Sequence, residues 1–191
     1  PLAARKEFGL DEGRKVCLIV GGSLGARTLN RSFMEGLDKL DRSDVQVLWQ
    51  CGKFYEQEVK EKVRDSGLKH VKVFPFISRM DLAYDIADVI VSRAGALSIS
   101  ELCLVAKPAI LVPSPNVAED HQTRNAEALV EKQAARMIPD SQASERLVDE
   151  MLRLLENKEE QQVLSKQIKQ LGIADAAERI ASEVLKILKQ P

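Results

Sequence analysis

Short apolar runs alternate with longer stretches of helical periodicity from residue 16 to residue 138, and no other feature restricts the fold of this chain as much. The runs occupy residues 16–20, 45–49, 71–74, 89–91, 109–112 and 135–138. They are rich in β-branched residues and apolar at successive positions, so both faces of each strand require apolar neighbours. That is the pattern of parallel strands buried between two helix layers. Helical patterns lie between them, roughly at 26–40, 54–66, 79–86, 97–106 and 121–132. After Pro139 the chain reads as helix alone, at about 143–156, 159–170 and 174–189. Six βα units in series predict an α/β fold, a doubly wound parallel six-stranded sheet of Rossmann-like type with extra C-terminal helices. Residues 1–191 read as one domain, without internal repeat or low-complexity linker.

Composition narrows the function classes. Hydrophobic residues make up 45% of the 191 and charged residues 30%, enough for a sizeable core and a solvated surface. The formal net charge of −1 and the absence of a basic cluster interleaved with aromatics argue against nucleic acid as a partner. The charge run from Glu56 to Lys62 reads as a solvated helix face. Cys17, Cys51 and Cys103 fall in apolar stretches without paired spacing, which fits buried thiols in a reducing compartment. His70 and His121 are too few for a His-rich metal site, and neither a metal nor a cofactor is expected. No apolar run approaches the ~20 residues of a membrane span, so no membrane insertion is expected. The chain starts at Pro1 rather than Met, which suggests a piece of something longer.

In a sheet of this kind ligands bind at the carboxyl ends of the strands, where the strand order reverses. Four loops there are unusual. Gly21-Gly22-Ser23-Leu24-Gly25-Ala26 follows the first strand. It reads as a tight turn capped by Ser23, or as a glycine loop that brings free helix N–H groups to an anion. It is neither G-x-G-x-x-G nor a Walker loop, and the second strand ends Leu48-Trp49-Gln50-Cys51 without the carboxylate a dinucleotide requires, so NAD is disfavoured.

The second loop is Ser92-Arg93-Ala94-Gly95-Ala96-Leu97-Ser98-Ile99-Ser100-Glu101. Small residues at a helix start leave room for a phosphate. Glu101 is a liability beside phosphate unless it binds something else, and a ribose diol, which donates two hydroxyls, suits it. The same letters, Ser98 to Glu101, also spell a capping box. The third loop carries Pro113-Ser114-Pro115-Asn116 and then Asp120-His121-Gln122-Thr123-Arg124-Asn125. Asp120 is a plausible N-cap. Gln122 and Asn125 share one helix face, where two amides grip the hydroxyls of a neutral sugar or simply meet solvent. His121 is a general base or an uninvolved surface residue. The fourth, Phe74-Pro75-Phe76-Ile77, offers a flat apolar wall to an aromatic base or belongs to the core.

In that order and spacing, GGSLGA, PFI, SRAGALSISE and EDHQTRNA resemble the C-terminal, donor-binding half of the MurG family of GT-B glycosyltransferases, over essentially the whole chain. The resemblance implies an inverting hexosyltransfer from UDP-N-acetylglucosamine to lipid I, giving lipid II for peptidoglycan, on the cytoplasmic face of the bacterial inner membrane. It implies that Ser23 contacts the diphosphate and that Ile77 reads the uracil edge through its backbone. Ala96, Leu97, Ser98, Ile99 and Ser100 would line phosphate and ribose. Glu101 would take the ribose hydroxyls, and Gln122 with Asn125 the sugar. Trp49-Gln50 stands where the family often has His-Gln, so Trp49 is given no sugar contact. The family's acceptor-binding domain, with its base, and an arginine of the uracil site precede the part matched here. The chain alone is therefore expected to bind donor without turnover. An alternative is a stand-alone UDP-sugar-binding subunit that works with a separate membrane partner. An epimerase of similar fold would need carboxylates and a histidine from a second domain. Ala176, Ile180, Val184 and Leu188 form a helical apolar stripe. It packs on this domain's own core or stays exposed, since in the family a C-terminal helix reaches back toward the other domain.

Overall fold

The computed structural model describes residues 2–188. The order of elements is α1 (Leu2–Phe8), β1 (Lys15–Val20), α2 (Arg27–Glu35), α3 (Leu37–Asp41), β2 (Val45–Gln50), α4 (Glu56–Ser66), β3 (Val71–Phe74), α5 (Met80–Ile86) and β4 (Val89–Ser92). Then come α6 (Ala96–Val105), β5 (Ala109–Leu111), α7 (His121–Glu131), β6 (Arg136–Met137), α8 (Ala143–Glu156), α9 (Lys158–Lys169) and α10 (Ala176–Leu188). The six strands form one parallel sheet in the order β3-β2-β1-β4-β5-β6. The doubly wound α/β architecture expected from the periodicity is the one adopted.

Each strand divides its residues between two cores because successive side chains point to opposite faces. Cys17, Ile19, Val47, Trp49, Val89 and Val91 face α2, α3, α4 and α8. Val16, Leu18, Leu48, Ile90 and Leu111 face α1, α5, α6 and α7. All three cysteines are buried and unpaired.

Three features differ from expectation. The helix predicted over 26–40 is broken at Gly36, where α8 crosses so closely that a Cβ would lie 2.6 Å from Val148 Cγ2. Helix α1 has no counterpart in the sequence reading; seven residues carry too little periodicity, and it is held by burying Ala4 and by the edge-on contact of Phe8 with Phe74, 5.8 Å between centroids. The α10 stripe does not pack on the domain's core. Ile180 and Val184 are 66% and 49% exposed, and the side chain of Leu188 lies outside the described residues, as does position 189 of the predicted helix.

Candidate functional site

The strand order reverses between β1 and β4, and the four unusual loops gather at that carboxyl edge. The glycine loop after β1 is clamped from below. The Gly21 N–H donates to the Gln50 carbonyl at 2.9 Å, and the Lys53 N–H to the Ser23 carbonyl at 3.1 Å. Gly52 passes under the loop with φ +84°, and a Cβ there would fall 2.1 Å from the Gly25 nitrogen, so only glycine fits. Buried Asn30 locks this crossing, donating to the Cys51 carbonyl at 2.8 Å and accepting the Trp49 indole N–H at 3.0 Å. Ser23 is exposed and does not cap α2: the N-cap is Ala26, without a side-chain cap.

Helix α6 starts at Ala96, with Gly95 as an extended N-cap and no side-chain cap. Ser98 is therefore inside the first turn and the capping-box reading falls. Ala96, Leu97 and Ser98 present first-turn N–H groups toward the sheet edge, with no acidic residue among them. Ile99 and Ser100 continue the helix, the Ser100 hydroxyl donating to the Ala96 carbonyl at 3.0 Å. Glu101 lies one turn beyond the start, exposed, and accepts the Tyr84 hydroxyl at 3.0 Å. Burial, then the Glu101 charge, pushes the Tyr84 phenol well above its ordinary range, so it remains a donor to this carboxylate.

Gln122 and Asn125 bracket the Ala94 peptide. Gln122 Oε1 accepts the N–H groups of Ala94 at 3.2 Å and Ser114 at 2.9 Å, while Asn125 Nδ2 donates to the Ala94 carbonyl at 3.1 Å. Each amide thus spends one end tying the β4 and β5 loops together. Gln122 Nε2 and Asn125 Oδ1 have no hydrogen-bond partner among the described residues. Asp120 occupies the N-cap position of α7 but makes no cap bond; its carboxylate accepts the Thr123 hydroxyl at 2.7 Å instead. Past β3, Phe76 is 53% exposed, whereas Ile77 is buried with its N–H donated to Gln50 Oε1 at 3.0 Å.

Arg93, within the SRAGALSISE stretch, is a further residue of the site that its sequence position alone does not mark. Its guanidinium donates to the carbonyls of Val112 at 3.0 Å and Pro113 at 3.2 Å and pairs with Asp140, which also accepts the Thr28 hydroxyl at 2.9 Å. This ties β4, β5, α2 and the start of α8 around a polar cavity of about 580 Å³. No local signal links positions 93 and 140. Among the described residues no group of three His, Cys, Asp or Glu side chains is placed to hold a metal ion, and no helix is long and apolar enough to cross a membrane.

Fold and site together define a Rossmann-like domain of the kind that forms the C-terminal half of a GT-B glycosyltransferase, with an open helix N-terminus flanked by a carboxylate and two amides. The chain belongs to the glycosyltransferase family 28 C-terminal domain family, whose profile matches residues 16–180. It is 53% identical over 181 residues to the UDP-N-acetylglucosamine–N-acetylmuramyl-(pentapeptide) pyrophosphoryl-undecaprenol N-acetylglucosamine transferase of Cytophaga hutchinsonii, covering 95% of this chain and 48% of that one. The crystal structure of Acinetobacter baumannii MurG superposes with a TM-score of 0.81 at 29% identity, over 96% of this chain and 53% of the other. A UDP-GlcNAc 2-epimerase from Neisseria meningitidis, at 15% identity and TM-score 0.65 over 97% of this chain and 48% of its own, shares the fold alone. The chain spans about half the length of the curated relatives it matches.

Proposed function

We propose that this chain is the UDP-N-acetylglucosamine-binding half of an inverting glycosyltransferase that transfers N-acetylglucosamine to a lipid-linked muramyl-pentapeptide. The observation that carries this reading is the uncapped, acid-free start of α6 standing between Glu101 and the Gln122–Asn125 pair, in a chain 53% identical to a transferase with that substrate in its name.

This reading implies the following chemistry. The acceptor hydroxyl attacks C1 of the donor sugar, the bond from C1 to the phosphate oxygen breaks, and UDP leaves. Negative charge grows on the diphosphate, and the N–H groups of Ala96 to Ser98 are preorganised to meet it. The helix dipole contributes roughly 0.3–1 kcal/mol, up to ~2 if partly buried. Ser23 meets the diphosphate from the glycine loop and Ile77 meets the uracil through its backbone. Glu101 accepts two ribose hydroxyls, with Tyr84 holding its carboxylate. Gln122 Nε2 donates to a sugar hydroxyl and Asn125 Oδ1 accepts from one. No residue of this chain is assigned as the base. The base, the acceptor site and attachment to the cytoplasmic face of the membrane belong to the remainder of such an enzyme, and the exposed face of α10 is the surface that remainder covers.

Calorimetric titration with UDP-N-acetylglucosamine and its C4 epimer tests this. The epimer is expected to bind roughly 5- to 150-fold more weakly, the cost of about 1–3 kcal/mol for a misplaced hydroxyl. Gln122→Glu keeps the acceptor for Ala94 and Ser114 but loses the donor, and should erase the preference. Absence of binding by the wild-type chain would overturn the reading. No transfer to a lipid-linked acceptor is expected from this chain alone, and measurable turnover would place the base within it.

A further inference from the structure

Two cavities meet at Arg27, Arg31 and Tyr55. The first, of about 580 Å³, reaches from these residues past Thr28 to Gln122. The second, of about 520 Å³, continues from them between α2 and α4. Helix α2 follows β1 and α4 follows β2, and the two strands are parallel, so both helices leave the same edge of the sheet and wall one groove. Tyr55 stands at its mouth. A Cβ on Gly25 would fall 2.5 Å from Tyr55 Cδ2, so the ring packs directly against the glycine loop. The Arg27 guanidinium and the Tyr55 hydroxyl have no hydrogen-bond or ion-pair partner among the described residues. Arg31 pairs with Glu35 at 2.7 Å with both side chains exposed, an ion pair that opens at little cost. Two cations thus stand at the sugar end of the groove, and Glu35, Glu58 and Lys62 lie further along it. From Arg27 to Glu35 the helix rises about 12 Å, the span of roughly three or four extended residues.

We propose that this groove binds the peptide arm of the acceptor, with Arg27 and Arg31 holding a carboxylate of the peptide. This rests on the reading of the chain as the donor half of a transferase that acts on a muramyl-pentapeptide. A muramyl sugar on a pyrophosphate has C1 taken by phosphate, C2 by nitrogen and C3 by the lactyl ether that carries the peptide. Its free hydroxyls are those on C4 and C6. Whichever of them attacks, the root of the peptide lies a few bonds from the attacking oxygen, and that oxygen comes into contact with C1 of the donor sugar. The peptide therefore starts beside Gln122 and needs a way out of the site. The cavity at Gln122 leads to Arg27 and Arg31, and from there into a groove of the length and polarity of a short peptide. The N-acetylated donor sugar is neutral and makes no use of two arginines; a peptide carboxylate does.

The test is NMR titration of the isotope-labelled 191-residue chain, saturated with UDP. The ligands are soluble N-acetylmuramyl-pentapeptide and the same compound with its carboxyls methylated. Amide shifts are expected along residues 27–35 and 55–62, and the ester should bind at least about 5-fold more weakly. In the double variant Arg27→Gln with Arg31→Gln, the acid should weaken to the level of the ester, with UDP affinity held within about 2-fold. Equal weakening of UDP and peptide would place the arginines on the nucleotide and overturn the proposal. So would an ester that binds wild type as tightly as the acid, a comparison that decides alone should the variant fail to fold. A chain that binds UDP but shows no peptide shifts in the groove removes this assignment only. One that binds no UDP removes the functional reading as well.

Discussion

Asn30 carries no charge and touches no solvent, yet it decides the shape of the glycine loop. Its amide spans from the Trp49 indole to the Cys51 carbonyl, and Cys51 leads into the glycine that passes beneath residues 23–25. Replacing it by alanine strands a buried donor and a buried acceptor, each costing about 1–3 kcal/mol. Asn30→Ala is therefore expected to lose roughly 2–6 kcal/mol in urea denaturation, and a loss below 1 kcal/mol would show that water replaces the amide. The same network gives Trp49 a purpose that its residue type alone did not suggest: it is a buried strut, 5.8 Å from the Phe33 ring between centroids, on the face of the sheet away from Glu101 and Asn125. In the sequence Asn30 is one polar letter in a helix, and nothing local distinguishes it from a solvated one.

At the scale of elements, the C-terminal helices behave in two ways. Helix α9 is anchored at its start. The Asn157 side chain accepts the Glu160 N–H at 3.1 Å, and the Glu160 carboxylate accepts Arg153 at 2.7 Å and pairs with Arg136. Arg153 first, then Arg136, pulls the Glu160 carboxyl down to about 2. A depressed carboxyl stabilises the fold at pH above its unfolded value and ceases to as pH falls through the folded one. This group should contribute roughly 1–2 kcal/mol at neutral pH, discounted for its half-exposed arginines, and lose it between about pH 4.5 and 2. Urea midpoints across that range should differ between wild type and Glu160→Gln, with the gap closing toward pH 2; a constant gap would refute the linkage. Helix α10 is the opposite case. Val184 is exposed, so Val184→Glu should change the stability of this chain by less than about 0.5 kcal/mol in the same assay. The periodicity of α10 is as clear as that of α8. What each stripe packs against was not legible, because periodicity reports that a face is apolar and not where its partner is.

For the molecule as a whole, ligand binding and stability are linked. If UDP binds the folded chain alone, 100-fold excess over Kd adds about 2.7 kcal/mol. For a chain of this size that raises the thermal midpoint by roughly 5–10 °C. An unchanged midpoint under saturating UDP would speak against a preformed site. By itself the sequence determined the alternation of strand and helix, the parallel class of the sheet and the positions of the loops that carry chemistry. These follow from periods of two and 3.6 residues and from small residues at strand ends, which act within a few neighbours along the chain. Only the tertiary structure decided which face each strand-end side chain enters. It also decided that Gln50 meets Ile77, that Arg93 meets Asp140, that Gln122 and Asn125 grip Ala94, and that α10 stays uncovered. Those outcomes depend on strand order and on hydrogen bonds between groups 27 to 47 residues apart, and no local pattern encodes such a pairing.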